Sequence, residues 1–282
     1  MTSSHPPIGG LLREWRQRRR MSQLDLACEA DISTRHLSFL ETGRAQPSRE
    51  MVIHLAERLD VPLRDRNQLL VAAGYAPLYP ERSLGDPALA AARRAVDLVL
   101  AGHEPYPAVA IDRHWTLVAA NGAIGPFLAG ADAALLQPPI NVLRLSLHPG
   151  GLAPRIENST EWRAHLLSRL RRQIDVSSDP ALVTLFEELI RYPSPEGSRR
   201  PEPAREPDPV TIAVPLRLRT EDGILSFLSA TMVFGTPIDV TLSELAVESF
   251  FPADQATAEA LRATARRRGQ RPSAEESHRI PL

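Results

Sequence analysis

Apolar positions recur at helical spacing through the first seventy or so residues. Ile8, Leu11, Leu12 and Trp15 fall at i, i+3, i+4 and i+7, which predicts an amphipathic first helix. Ser22, three residues before Asp25, predicts a capping-box start for a second. Ser33 is placed to cap a third helix, which Gly43 ends. Ser48 caps a fourth, with Val52, Leu55, Ala56 and Leu59 on one face, and Pro62 opens a fifth that stops at Gly74. Five short helices predict a compact all-α domain over 8–77.

The pattern then changes. Residues 75–86 mix Pro, Gly and charge without period and read as a boundary. Leu89, Ala92, Val96, Val99 and Leu100 predict a helix within a linker and connector region, 78–104. From there short strands and helices alternate. Val109–Ile111 and Trp115–Ala119 flank Asp112-Arg113-His114 as a hairpin. Helices are expected near 123–129, 160–173 and 180–192. Residues 193–209 carry six prolines and predict a loop. Val210, Ile212, Val214, Leu216 and Leu218 alternate as a half-buried strand does, Asp222-Gly223 is a two-residue hairpin turn, and Leu225–Phe234 is its partner strand. Leu245–Phe251 predicts a further strand, Asp254 caps a last helix, and 267–282 reads as a disordered tail. The second domain, 105–266, is thus expected to be α+β, a mostly antiparallel sheet with helices on one side.

Length and composition fit this division. A chain of 282 residues exceeds one typical core. No apolar run is long enough to span a bilayer and the N-terminus lacks a signal-peptide pattern, so no membrane partner and a cytoplasmic location are expected. The single cysteine, Cys28, forms no internal disulfide and is expected to be a small packed residue. All 33 basic residues are Arg, as a GC-rich coding bias produces. The net charge of −1 decides nothing, but residues 1–80 hold eleven Arg against nine acidic residues. Eight of those Arg cluster around the second and third helices, a modest electrostatic footprint for nucleic acid.

The chemistry concentrates in Gln23 to Gly43, QLDLACEADISTRHLSFLETG, two short helices joined by a tight turn. Such a pair places its second helix in the DNA major groove. Ala27 permits close helix crossing, and Leu37 and Leu40 point inward. Asp31 takes the turn position, usually Gly, and tolerates the left-handed conformation needed there. The outward face then carries Ser33, Thr34, Arg35, Ser38 and Phe39. Arg35 can pair bidentately with guanine, and Thr34 suits a thymine methyl or a phosphate. Phe39 either meets thymine methyls or tucks against the fourth helix. Gln23, at a helix start, and Arg44, just past the recognition helix, suit backbone phosphates. The run Arg18, Arg19, Arg20 reads equally as a solvated helix end or as phosphate contacts.

These residues resemble the XRE family of helix-turn-helix regulators, relatives of the lambdoid phage repressors. SQLDLACEADISTRHLSFLETGRAQPSREMVIHLAERLDVPLRDRNQLLVAAGYAP carries the likeness, which implies a lambda-repressor-like N-terminal domain. AIDRHWTLVAAN, NVLRLSLHPGGL and FGTPIDVTLSELAVESFFPADQATAEALR resemble the subgroup with an MmyB-like C-terminal ligand-binding domain. That resemblance implies a PAS-like second domain and a small lipophilic ligand, with fatty acids as the associated class.

The PAS-like sheet that the resemblance implies, with helices on one face, is expected to enclose an apolar cavity. Trp115, Leu117, Phe127, Leu143, Trp162, Leu166, Phe227 and Phe234 are candidate lining residues, or plain core. Arg144 interrupts Val142, Leu143 and Leu145, and a buried Arg needs an anion: an internal carboxylate or the ligand's. No catalytic motif appears: His103-Glu104 lacks a second histidine at metal spacing, no phosphate loop or nucleophile elbow is present, and no metal or cofactor is expected. Two readings follow. One is a ligand-responsive regulator that binds an operator in double-stranded DNA as a homodimer; the other is a DNA-binding protein whose second domain only dimerises or contacts proteins.

Overall fold

The computed structural model describes residues 7–193, 214–221, 223–235 and 237–269. The chain divides into two compact units, Met1–Ser83 with Gly235–Ser243, and Leu84–Phe234 with Glu244–Leu282.

The first unit is the expected five-helix bundle: α1 (Ile8–Arg18), α2 (Gln23–Glu29), α3 (Thr34–Glu41), α4 (Arg49–Arg58) and α5 (Leu63–Ala72). Its caps follow the sequence. Ser22 and Asp25 form a reciprocal capping box at 3.1 and 2.8 Å, Ser33 Oγ accepts from His36 N–H, and Ser48 Oγ from Met51 N–H. Asp31 holds φ +52°, and Gly43 and Gly74 stop their helices at φ +73° and +88°. Leu12, Leu26, Leu37, Leu40, Leu55 and Leu70 are fully buried in one core. Gly9 of α1 lies against the last turn of α3, where a β-carbon would sit 2.4 Å from the Leu40 carbonyl oxygen. Cys28 is exposed, not packed: on the short α2 its neighbours Leu26 and Ala27 take the inward positions.

The second unit is α+β, as expected. In chain order it contains α6 (Ala90–Gly102), β1 (Ala108–Ile111), β2 (Leu117–Ala120), α7 (Gly125–Leu128), α8 (Val142–Leu147), α9 (Ser159–Ser177), α10 (Pro180–Ile190), β3 (Leu216–Thr220) and β4 (Gly223–Val233). A four-residue helix, α11 (Val240–Ser243), follows in the segment that belongs to the first unit. Then come β5 (Ala246–Pro252) and α12 (Gln255–Gly269). The sheet order is β2-β1-β5-β4-β3, all pairs antiparallel. Thr257 N–H donates to Asp254, the expected cap of α12. The strand predicted from Val210 starts at Leu216, and 210–213 lie outside the described residues, as do Asp222, residues 194–209 of the proline-rich segment and 270–282 of the predicted tail.

Helices do not keep to one side of the sheet. One face packs Val109, Ile111, Leu216, Leu218, Leu225 and Phe227 against α8, α9, α10 and Leu261 of α12. On the other, Val96 and Leu100 of α6 cover Ala108, Ala110 and Val247. Coverage on both faces leaves all four residues of β1 buried, and it explains that strand's unbroken apolar run.

Candidate functional site

The recognition surface is built on α3. Leu37 and Leu40 are buried, and Ser33 and Arg35 are exposed. Thr34 and Ser38 are half-buried. Phe39 is half-buried beneath two cations: the Arg35 guanidinium lies 5.4 Å from its ring centre and that of Arg44 5.9 Å. Arg44 N–H donates to the Phe39 carbonyl at 2.8 Å, fixing where that residue leaves the helix. No ion pair engages Arg35 or Arg44 among the described residues. Two charged side chains therefore stand free on the face expected to read DNA, on a shared aromatic base.

Gln23 is committed elsewhere in part. Its amide Nε2 donates to Glu41 Oε2 at 2.8 Å. Glu41 also binds Arg16 through two bonds of 2.6 and 2.9 Å, and Arg16 donates onward to the Met21 carbonyl. Burial opposes ionisation of Glu41, but the hydrogen bonds and charge of Arg16, with Gln23, outweigh it and hold its carboxyl below the usual range. This ion pair ties α1 and the start of α2 to the end of α3. The arginine run is largely structural. Arg18 pairs with Glu14, and Arg19 donates to the carbonyls of Leu59 and Asp60 at the end of α4.

The second unit holds a partly open, mostly apolar chamber between the sheet and α7, α8 and α9. Trp115, Phe127 and Trp162 line it with Leu117, Leu143 and Leu166. Its volume is about 80 Å³. That is far below the roughly 300–1,000 Å³ of most ligand pockets. A larger cleft of about 900 Å³ on the first unit, between α5 and residues 77–81, is open and lined partly by Arg64, Asn67 and Glu81. Of the two, the chamber has the more apolar lining.

Trp115 is held in place at a cost. Its φ of +65° is unfavourable for a bulky side chain. Asp112 Oδ1 accepts from His114 and Thr116 N–H, both at 2.8 Å, and shapes the turn. The Trp115 indole N–H donates to Gln173 of α9 at 2.8 Å. Beside it, His114 and Arg113 bind Asp179; burial opposes that carboxylate's ionisation, yet these partners keep its pKa below the ordinary value.

Three sequence candidates, Arg144, Phe234 and Phe227, are not among the residues that line the chamber. Arg144 is partly exposed on α8 and grips Glu188 of α10 at 2.7 and 2.8 Å, the internal-carboxylate alternative. Tyr192 adds its hydroxyl to Glu188; burial, then that carboxylate, push the phenol up to about 12. Phe234 packs half-buried with the α6 side of the sheet. Phe227 is fully buried core. Asn121 caps the turn after β2 and also bonds Ala108 N–H and the carbonyls of Leu100 and Tyr106.

Sequence reasoning missed the chamber's polar residues: Arg169, Glu248, Ser146 and Ser229. A signal existed. Trp162, Leu166 and Leu170 mark the buried stripe of α9, and Arg169 lies at i+7 and i+3 from the first two. In β5, alternation puts Glu248 on the face of Phe250.

Residues 92–263 match the family described as MmyB-like transcription regulator ligand binding domain, more than half of the chain. The chain belongs to the MmyB-like transcription regulators. Residues 7–69 of this MmyB-like chain match a helix-turn-helix domain family, covering α1 to most of α5. A protein of Methanoculleus marisnigri named "Putative HTH-type transcriptional regulatory protein" is 35% identical over 116 residues, 39% of this chain. The match spans 37% of that relative's own length. No described helix is long and apolar enough to cross a membrane.

Proposed function

We propose that this MmyB-like protein is a sequence-specific transcription regulator that reads an operator in double-stranded DNA with α3. Residues 8–77 read the operator, 78–104 connect, and 105–266 hold a small lipophilic, fatty-acid-like ligand. Free Arg35 and Arg44 guanidinium groups over Phe39, on a helix whose opposite face is locked into the core, carry this reading. Gln23, Ser33, Thr34 and Ser38 supply the remaining polar contacts to bases and phosphates. Binding as a homodimer matches the two-fold or repeated half-sites such motifs use. The protein acts in the cytoplasm and needs no cofactor.

Selection of binding sites from random DNA with the purified protein tests this reading. An enriched motif with paired half-sites supports it; unenriched pools sink it. The small chamber volume favours one alternative, a second unit that only dimerises or contacts other proteins. Organic extraction of the purified protein followed by mass spectrometry separates the two: a co-purified lipophile in near-stoichiometric amount supports the sensor, and a clean extract supports the dimeriser.

A further inference from the structure

Val233 of β4 and Ala246 of β5 are the last pair of their ladder, so residues 234–245 connect two antiparallel neighbours. A hairpin turn needs only roughly two to five residues. The excess is held, not slack. Asp239 and Val240 are fully buried, and Val240 N–H donates to the Pro80 carbonyl at 2.9 Å. Asp239 accepts from Arg82 at 3.1 Å and from Thr241 N–H at 2.9 Å. The Thr241 hydroxyl donates to the Arg82 carbonyl at 2.6 Å, and α11 packs on α5. The chain therefore passes from one unit to the other three times, after Ser83, Phe234 and Ser243. Both flanks of the segment are fastened in the second unit. Phe234 and Leu245 pack with Val96 and Leu100 of α6, and Arg113 Nε lies 3.6 Å from Glu244 Oε2, in the turn that shapes Trp115. On the ladder, Thr231 donates to its cross-strand partner Glu248 at 2.8 Å, and Arg169 of α9 pairs with the same oxygen.

We propose that 237–243 is a strap that makes the stability of the helix bundle, and the seating of α5, depend on the pairing of β4 with β5. Asp239 is a positioning residue that works through Arg82 and Thr241. A buried segment bonded on several sides cannot slide by degrees, because packed interiors switch between arrangements rather than stretch. Strand register, however, sets where its two ends lie. A splayed ladder must either fray further while the strap stays docked or draw the strap off α5. One element biased from two sides is the physical requirement for coupling, and the coupling runs equally in both directions. Ser229 of β4 and Glu248 and Phe250 of β5 also line the chamber, so an occupant there bears on the same ladder. The regulatory use of the strap rests on the first unit reading DNA and the second holding a ligand; the coupling itself does not.

Hydrogen exchange read by mass spectrometry on the full chain, without DNA, tests both directions. Asp239→Asn is expected to speed exchange several-fold in α5 and also in 228–233 and 246–251 of the ladder. If that variant does not fold, Thr241→Val, which loses only the hydroxyl bond to Arg82, takes its place. Thr231→Val cuts a bond wholly within the sheet and is expected to speed exchange in the ladder and in α5. Val247→Ala makes the deeper cut if Thr231→Val leaves the ladder itself unmoved. In Thr231→Val/Asp239→Asn, α5 should exchange no faster than in Asp239→Asn alone, because the strap is already released. Faster exchange confined to 63–83 and 237–243 in Asp239→Asn overturns the proposal, as does an α5 unmoved by a loosened ladder: the segment is then packing only. On a selected operator, Thr231→Val is expected to weaken binding several-fold, and to add nothing in the Asp239→Asn background. A ladder that moves α5 and never DNA affinity overturns the regulatory use alone. Failure to select any operator removes the DNA reading, and the exchange result still decides the strap.

Discussion

Arg82 and Asp239 stand 157 positions apart in the chain and meet at 3.1 Å, with the Asp239 side chain fully buried. Asp239 Oδ1 accepts from Thr241 N–H at 2.9 Å, the Thr241 hydroxyl donates to the Arg82 carbonyl at 2.6 Å, and Val240 N–H donates to that of Pro80 at 2.9 Å. These bonds make 237–243 part of the first unit, although the segment runs between β4 and β5 of the sheet. The two strands it joins carry Thr231 and Glu248. Asp239→Asn keeps the acceptor for Thr241 but ends the ion pair. It is expected to cost about 1.5–3 kcal/mol, the range for hydrogen bonds to charged groups. Urea unfolding measures it, and a loss below about 0.5 kcal/mol, the size of an ordinary surface substitution, would show that this tie does not hold the segment.

Gly9→Ala sets two effects against each other. Alanine favours helix over glycine by about 1 kcal/mol. Its β-carbon, however, falls 2.4 Å from the Leu40 carbonyl oxygen and 2.6 Å from that of Glu41. Both are backbone atoms and cannot rotate away, so α1 and α3 must separate. Overpacking typically costs about 1–3 kcal/mol, and here it wins. The variant is expected to melt earlier and to bind DNA less well, because α3 is displaced. A melting temperature at or above wild type would refute the close-contact argument.

What was legible in the sequence is local. The helix caps at Ser22, Ser33 and Ser48, the stops at Gly43 and Gly74 and the left-handed Asp31 are short-range chemistry, and the structure has them where the pattern places them. The hairpin around Asp112 and the cap at Asp254 are of the same kind. Partners far apart in sequence were not legible. Arg144 interrupts an apolar run in the sequence, but on α8 it lies with Val142 at a partly exposed edge, and Glu188 is within reach from α10. Arg169 was hidden among the arginines of α9, and only the fold brings it to Glu248, 79 residues later. The covering of the sheet by α6 was likewise invisible, because a helical stripe does not say which surface it meets.

Glu41 gives the first unit a defined acid dependence. Its folded-state pKa is depressed, so its contribution is fully present above the unfolded glutamate value of about 4.3 and is lost as pH falls below that, through the folded value. Removing one partner of a buried pair costs about 3–5 kcal/mol. Glu41→Gln keeps one acceptor oxygen but puts a donor where the other stood, facing the N–H groups of Arg16 or Gln23, so a loss of about 3–5 kcal/mol is expected at pH 7. The gap between wild type and variant should persist at pH 5 and close toward pH 3. Urea unfolding at the three pH values checks it; a gap that grows with acid contradicts the direction of the shift.

Arg35 and Arg44 share the Phe39 ring but should fail differently. Arg35 lies in the first turn of α3, the part of a recognition helix that meets base edges, whereas Arg44 lies beyond its C-terminus. If Arg35 pairs with a guanine, Arg35→Ala should cost about 1–3 kcal/mol on the selected site and far less on scrambled DNA. Arg44→Ala, losing a phosphate contact, should weaken both sequences alike and lower the log–log salt slope by about one. Phe39→Ala removes the base on which both cations rest, so it should show the two defects together, each smaller than in the arginine variant. Fluorescence anisotropy at several salt concentrations separates these outcomes. Equal losses on both DNAs for Arg35→Ala would reassign that residue to the phosphate backbone, and an unchanged salt slope for Arg44→Ala would remove it from the interface.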